Sequence, residues 1–163
     1  MSRICFIFVF FVSIASADSW VNHGPYGGSF QSFAFHPQKE NLIFASGLEG
    51  LFRSTDTGKT WSRVNLPPGE YVIRIHPRNP SSILAASSGH GIFRSNDLGE
   101  TWELFSRYTF EGDFFHDLEF DPKDPQVLYA VSFYNGVFKS IDGGITCSFA
   151  TARTRSAAPS RCC

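Results

Sequence analysis

The chain has 163 residues, 42% hydrophobic and 18% charged, enough apolar surface to bury a core and to exclude intrinsic disorder. Fourteen Gly and nine Pro without a triplet period exclude collagen, and a formal net charge of −1 excludes an overall basic field for nucleic acid. Eighteen Phe point to β structure, because flat rings suit a pleated surface.

The first segment reads as an address. Arg3 is followed by an apolar run over 4–14, then Ala15-Ser16-Ala17 supplies the small-x-small pattern of a signal peptidase site. A spanning helix needs about 20 apolar residues, so residues 1–17 are expected to be a cleaved signal peptide rather than a membrane anchor. Cleavage near Ala17-Asp18 predicts a secreted or periplasmic protein with no membrane association afterwards. Cys147, Cys162 and Cys163 are the cysteines left, all near the C-terminus, so no disulfide framework holds the body. No CxxC or HxxxH spacing suggests a metal, and no cofactor motif is present.

The body repeats itself. Residues 32–61, 72–102 and 116–147 align as three copies of one unit. Asp56, Asp97 and Asp142 are 41 and 45 apart, and Pro37, Pro77 and Pro122 are 40 and 45 apart. Two independent markers in phase predict three blades, at about 20–65, 66–106 and 107–150, within a domain over 18–150. Each unit reads as four strands. Strand A alternates, with Phe33 and Phe35, Ile73 and Ile75, or Leu118 and Phe120 on one side. A Pro-containing turn follows, then strand B (42–45, 83–86, 127–131), a Gly turn, strand C (51–53, 92–94, 137–139), and strand D from Thr60-Trp61 or Thr101-Trp102. The fold class expected is all-β: a partial β-propeller of about three four-stranded antiparallel blades.

The C–D hairpin carries the sharpest motif. Ser54-Thr55-Asp56-Thr57-Gly58-Lys59-Thr60-Trp61 and Ser95-Asn96-Asp97-Leu98-Gly99-Glu100-Thr101-Trp102 are two versions of it. Ser140-Ile141-Asp142-Gly143-Gly144-Ile145-Thr146 is a third, with Cys147 in place of Trp. These octets resemble the Asp-box, or BNR repeat, of sialidases, sortilin-type receptors, xyloglucan-active hydrolases and a photosystem II assembly factor. A carboxylate in a tight turn accepts bonds from otherwise unpaired backbone N–H groups. The box is therefore read as a structural clasp: Ser54, Asp56, Gly58 and Trp61; Ser95, Asp97, Gly99 and Trp102; Ser140, Asp142 and Gly144. Gly58, Gly99 and Gly144 take positive φ, and Trp61 and Trp102 pack between adjacent sheets. Repetition in every blade argues for a per-blade structural job rather than catalysis.

If strand A is innermost, as the resemblance implies, one rim gathers the loops entering strand A and the B–C turns. The candidates there are Tyr26, Glu49, Glu70, His90, Tyr108, Asp113, His116, Tyr134 and Asn135, an aromatic and acidic set suited to a carbohydrate or a protein partner. Arg74 aligns with Ala34 and Glu119 and is expected to form an ion pair with Asp117 and Glu119. His36 and His76 share a position with Asp121 and read as turn residues before Pro.

No catalytic set emerges. The resemblance to sialidases lacks an Arg-Ile-Pro stretch before the first box. The resemblance to xyloglucan-active hydrolases leaves Glu49 as the best, unpaired, carboxylate where two must flank a glycosidic bond. The function expected is a secreted binding or scaffold module without its own catalysis. A truncated glycoside hydrolase and a piece of a sortilin-like receptor ectodomain are the alternatives.

The C-terminal stretch differs from the rest. Residues 18–150 hold ten basic and fifteen acidic residues, whereas 151–163 has three Arg and no acid. An irregular basic tail is expected there, and the composition shift together with Cys147 is read as a truncation or frameshift inside the third box. Three blades leave two open apolar faces, so self-association through them is expected.

Overall fold

The computed structural model describes residues 22, 24–25, 29–87, 89–106, 115–133, 136–149 and 160–161. The expected signal peptide and most of the tail lie outside them. The described chain is all-β, in three antiparallel sheets taken strictly in sequence order. The first holds β1 (Phe30–Phe35), β2 (Ile43–Gly47), β3 (Gly50–Ser54) and β4 (Ser62–Arg63). The second holds β5 (Tyr71–Ile75), β6 (Ile83–Ser87), β7 (Gly91–Ser95) and β8 (Glu103–Ser106). The third holds β9 (Phe115–Phe120), β10 (Leu128–Ser132), β11 (Gly136–Ser140) and β12 (Thr146–Phe149). This is the partial propeller expected from the repeats.

Two details depart from expectation. Strand D starts later than the box tryptophan, because the box itself consumes 55–61 as a turn and leaves β4 only two residues long. The tail, expected to be irregular, contributes β13 (Ser160–Arg161), which pairs antiparallel with β12 through Thr146↔Arg161 and Cys147↔Ser160. An edge strand such as β12 presents unpaired N–H and C=O groups, and any extended segment within reach satisfies them.

The sheets meet at their first strands. β5 packs on β1 and β2, and β9 packs on β5 and β6, so strand A lies where the blades converge. Alternation then sends one side of each strand into each junction. Phe44, Leu51, Tyr71, Ile73 and Ile83 fill the space between the first and second sheets. Leu84, Ile92, Leu118, Phe120, Leu128 and Phe138 fill that between the second and third. Each such side chain stabilises the fold by about 1.5–3 kcal/mol when fully buried.

The corner after strand A explains why His and Asp share a repeat position. His36 Nδ1 accepts from the backbone N–H of Gln38 (3.2 Å) and Lys39 (3.0 Å). His76 Nδ1 accepts likewise from Arg78 (3.2 Å) and Asn79 (3.0 Å), and Asp121 Oδ1 from Lys123 (2.8 Å) and Asp124 (3.2 Å). An unprotonated ring nitrogen does the work of a carboxylate oxygen. The corners also link the blades. His36 Nε2 donates to the Pro80 carbonyl at 3.2 Å, and Arg78 Nη2 to the Lys123 carbonyl at 2.6 Å.

The Asp-box closes by one bonding scheme in all three copies. Ser54 Oγ donates to Asp56 at 2.8 Å and accepts from Gly58 N at 2.8 Å. Asp56 accepts from Thr60 N at 2.8 Å and from the Thr60 hydroxyl at 2.6 Å. Ser95, Asp97, Gly99 and Thr101 repeat the pattern, as do Ser140, Asp142, Gly144 and Thr146. Trp61 and Trp102 each donate Nε1–H to the carbonyl of their own box glycine, at 3.0 and 3.2 Å. The turn needs two successive left-handed residues: Thr57 (φ 63) then Gly58 (φ 81), and Leu98 (φ 64) then Gly99 (φ 81). The third box places Gly143 (φ 72) at the strained first position.

These bonds act on the ionised carboxylate. The hydroxyl and backbone N–H of Thr60 hold Asp56 down at about 2, and those of Thr101 do the same to Asp97, also about 2. Burial pushes Asp142 up, but the bonds from Thr146 and Ser140 outweigh it and its pKa is lowered.

Candidate functional site

The leading ends of the three strand A segments enclose a groove of about 500 Å³. Gln31, Tyr71 and His116 occupy one repeat position there, and Ser32, Val72 and Asp117 the next. The groove therefore arises from blade convergence, with each sheet donating the same two positions in a different chemistry. Glu70, Arg74, Phe115 and Phe133 complete the wall.

Its polar groups are held in pairs. Gln31 Nε2 donates to Glu70 Oε1 at 2.6 Å, joining the first strand to the loop that enters β5. Arg74 is the hub: Nη2 pairs with Asp117, Nε with Glu119 at 2.8 Å, and Nη1 donates to the Ile73 carbonyl at 2.9 Å. Tyr71 anchors the floor. Its N–H donates to Ser46 Oγ at 2.7 Å and its hydroxyl to the Pro67 carbonyl at 2.7 Å. Burial pushes this phenol up to about 12, so it is a neutral donor at physiological pH. At one edge the His116 ring lies against Phe133, centroids 5.3 Å apart and planes tilted by 34°.

The rim candidates divide accordingly. Glu70 and His116 come together in the groove. Glu49 sits exposed in the β2–β3 turn and His90 exposed in the β6–β7 turn, and neither lines it. Tyr26, Tyr108, Asp113, Tyr134 and Asn135 lie outside the described residues. Gln31 was not singled out from sequence. Its signal was a strand A position that differs in all three repeats, Gln, Tyr and His, where a purely structural site would repeat one type. Among the described residues no group of three His, Cys, Asp or Glu converges as metal ligands would, and no helix is long and apolar enough to cross a membrane.

Comparison with known proteins agrees with this fold. The family profile described as "Sortilin-Vps10: Sortilin, neurotensin receptor 3" matches residues 49–158. Among solved structures, an ancestral GH74 enzyme is similar at 24% identity and TM-score 0.63, covering 70% of this chain and 17% of that one. The GH74 xyloglucanase from Xanthomonas campestris is similar at 17% identity and TM-score 0.60, over 76% of this chain and 24% of that one. YCF48 from Cyanidioschyzon merolae follows at 17% identity and TM-score 0.55, over 76% and 37%. At these identities the likeness establishes the fold. The chain spans about a fifth of the length of the GH74 enzymes it matches. No curated protein sequence matches it.

Proposed function

The chain belongs to the Sortilin-Vps10 family, and from that premise we infer that it is a ligand-binding Asp-box propeller module that recognises a polypeptide at the groove between its strand A ends. One observation carries the reading. The groove's acids are already engaged, Glu70 by Gln31 and Asp117 by Arg74, beside an aromatic edge made by His116 and Phe133. Such a wall offers fixed donors and acceptors plus a stacking surface, which suits recognition of an extended chain. Acid–base catalysis needs a carboxyl group free to exchange a proton with the reacting atom.

The competing reading is a glycoside hydrolase, favoured by the fold of the GH74 enzymes. It requires two carboxyl groups flanking one bond, about 5–9.5 Å apart. Glu49 stands outside the groove, which leaves the acids within it tied to Gln31 and Arg74. Fluorescence anisotropy against a labelled peptide library, run beside a fluorogenic β-glucan assay, separates the two readings. Binding of peptides that weakens at least tenfold in Arg74→Met, with no turnover, supports recognition. Turnover lost in Glu49→Gln overturns it.

The same reading places the protein in an extracellular or lumenal compartment. Expression from the native start codon in a secretory host, followed by N-terminal sequencing of exported product, tests this. A first residue of Asp18 is the expected result.

A further inference from the structure

Each sheet has a leading face toward the blade before it and a trailing face toward the blade after it. On the leading faces, Ile73 and Leu118 are 1% and 0% exposed, whereas Phe33 and Phe35 of the first sheet are 55% and 69% exposed. We propose that this leading face of the first sheet is the docking site for the trailing face of the third sheet of a second copy of the chain, with Tyr129 seated over Gly58 beside Trp61.

The two internal junctions supply the pattern. At each, a ring from the trailing face covers a box glycine of the next sheet. Phe44 lies over Gly99, where a Cβ would come within 2.6 Å of the ring, and meets Trp102 edge-on at 6.5 Å. Phe105 lies over Gly144, where a Cβ would be 3.0 Å from the ring. Among the described residues, a Cβ at Gly58 would meet only Trp61 at 3.6 Å and Ile43 at 3.9 Å, both from its own sheet. The first box thus has the same seat, glycine and tryptophan included, with room for a ring above it.

The third sheet carries the matching part. Tyr129 occupies the register position of Phe44, opposite Lys139 as Phe44 is opposite Arg53. Val131 on the same side is 37% exposed, so the β10 part of this trailing face is apolar, while Glu119 and Asp117, opposite Tyr129 and Val131 on β9, are acids paired with Arg74. At the internal junction, Arg53 donates to the Leu98 carbonyl at 3.1 Å and pairs with Glu100 at 2.6 Å. In the proposed junction Lys139 faces the Thr57 carbonyl, the equivalent of Leu98, and Lys59, the equivalent of Glu100. The carbonyl bond is retained while the ion pair becomes a repulsion. Two copies joined head to tail through two such junctions pair both end faces of their described sheets, an association closed at two.

Sedimentation velocity of the purified chain over a concentration series tests this, with circular dichroism verifying the fold of each variant. The expected species is a reversible dimer that tightens as salt screens the two lysines. Phe35→Asp and Tyr129→Asp should each weaken it about 30-fold or more per junction, the loss of one central contact at each of the two. An equimolar mixture of those two variants should recover a one-junction dimer, because each retains the face the other lacks. Lys59→Glu should tighten the dimer and reverse its salt dependence. A folded chain that stays monomeric, a mixture that fails to associate, or a Lys59→Glu variant that dissociates overturns the proposal. Because Phe35 and Lys59 are exposed, those arms decide the matter even if Tyr129→Asp does not fold.

Discussion

Phe33 in the first sheet, Ile73 in the second and Leu118 in the third sit at one position of one repeat, and all are apolar. Two of them are sealed in a junction and the first is more than half exposed. The Asp-boxes tell the opposite story. The box at the open end makes the same Ser–Asp–Gly–Thr bonds as the box beneath Phe44. Burial in this fold is therefore conferred by the neighbouring blade, whereas the hairpin clasp is completed within its own blade.

The largest test of that contrast is side-chain truncation in the dilute monomer. Ile73→Ala and Leu118→Ala should each cost about 2–5 kcal/mol in urea unfolding, and Phe33→Ala under about 0.5 kcal/mol. Equal losses at the three positions would show that the first sheet is covered after all.

A glycine pair sharpens it. Gly58 and Gly99 share a left-handed φ of 81°, so alanine meets the same backbone strain at both. Only at Gly99 does the new methyl collide with a ring from another sheet. Gly99→Ala should therefore lose about 1–3 kcal/mol more than Gly58→Ala, the cost of overpacking a filled junction.

Acid titration probes the part that should not depend on neighbours. The folded pKa values of Asp56 and Asp97 are depressed from 3.8 to about 2. Their contribution is complete above the unfolded value and is lost as pH falls through about 2. Asp56→Asn and Asp97→Asn should flatten the pH dependence of stability between about 4 and 2 to a similar degree, read from thermal melts. His76 adds a separate limb. Burial and the adjacent Arg78 lower its pKa below 6.5, so stability drops as pH falls from 6.5 toward the folded value.

The smallest effect concerns the groove. Arg74→Met removes pairs to two acids that are at least half exposed, so the stability loss should stay near 0.2–1 kcal/mol and shrink with added salt. Peptide binding is expected to respond far more than stability does.

Much of the architecture was legible along the chain, because blade boundaries follow from features that act locally. Alternation sets the faces of β1, β5 and β9, proline stops each strand, and Ser-x-Asp-x-Gly fixes the hairpin through bonds spanning four residues. Even the exchange of His36 and His76 for Asp121 follows from a turn that asks only for an acceptor two residues upstream. The groove was only half legible. Glu70 and His116 stood out as polar residues at loop ends, yet Glu49 and His90 had the same appearance and lie elsewhere. Gln31 was hidden because its role comes from Glu70, thirty-nine residues away.

The sequence by itself determined three in-phase blades, their strand order and the acids that clasp each hairpin, since these depend on neighbours within a few residues. Only the tertiary structure decided which apolar faces are buried, that Gln31 holds Glu70 in the groove, and that Phe44 and Phe105 rest on the box glycines of the next sheet. Those contacts join residues 39 to 55 positions apart, and only the angle at which twisted sheets converge brings them within reach.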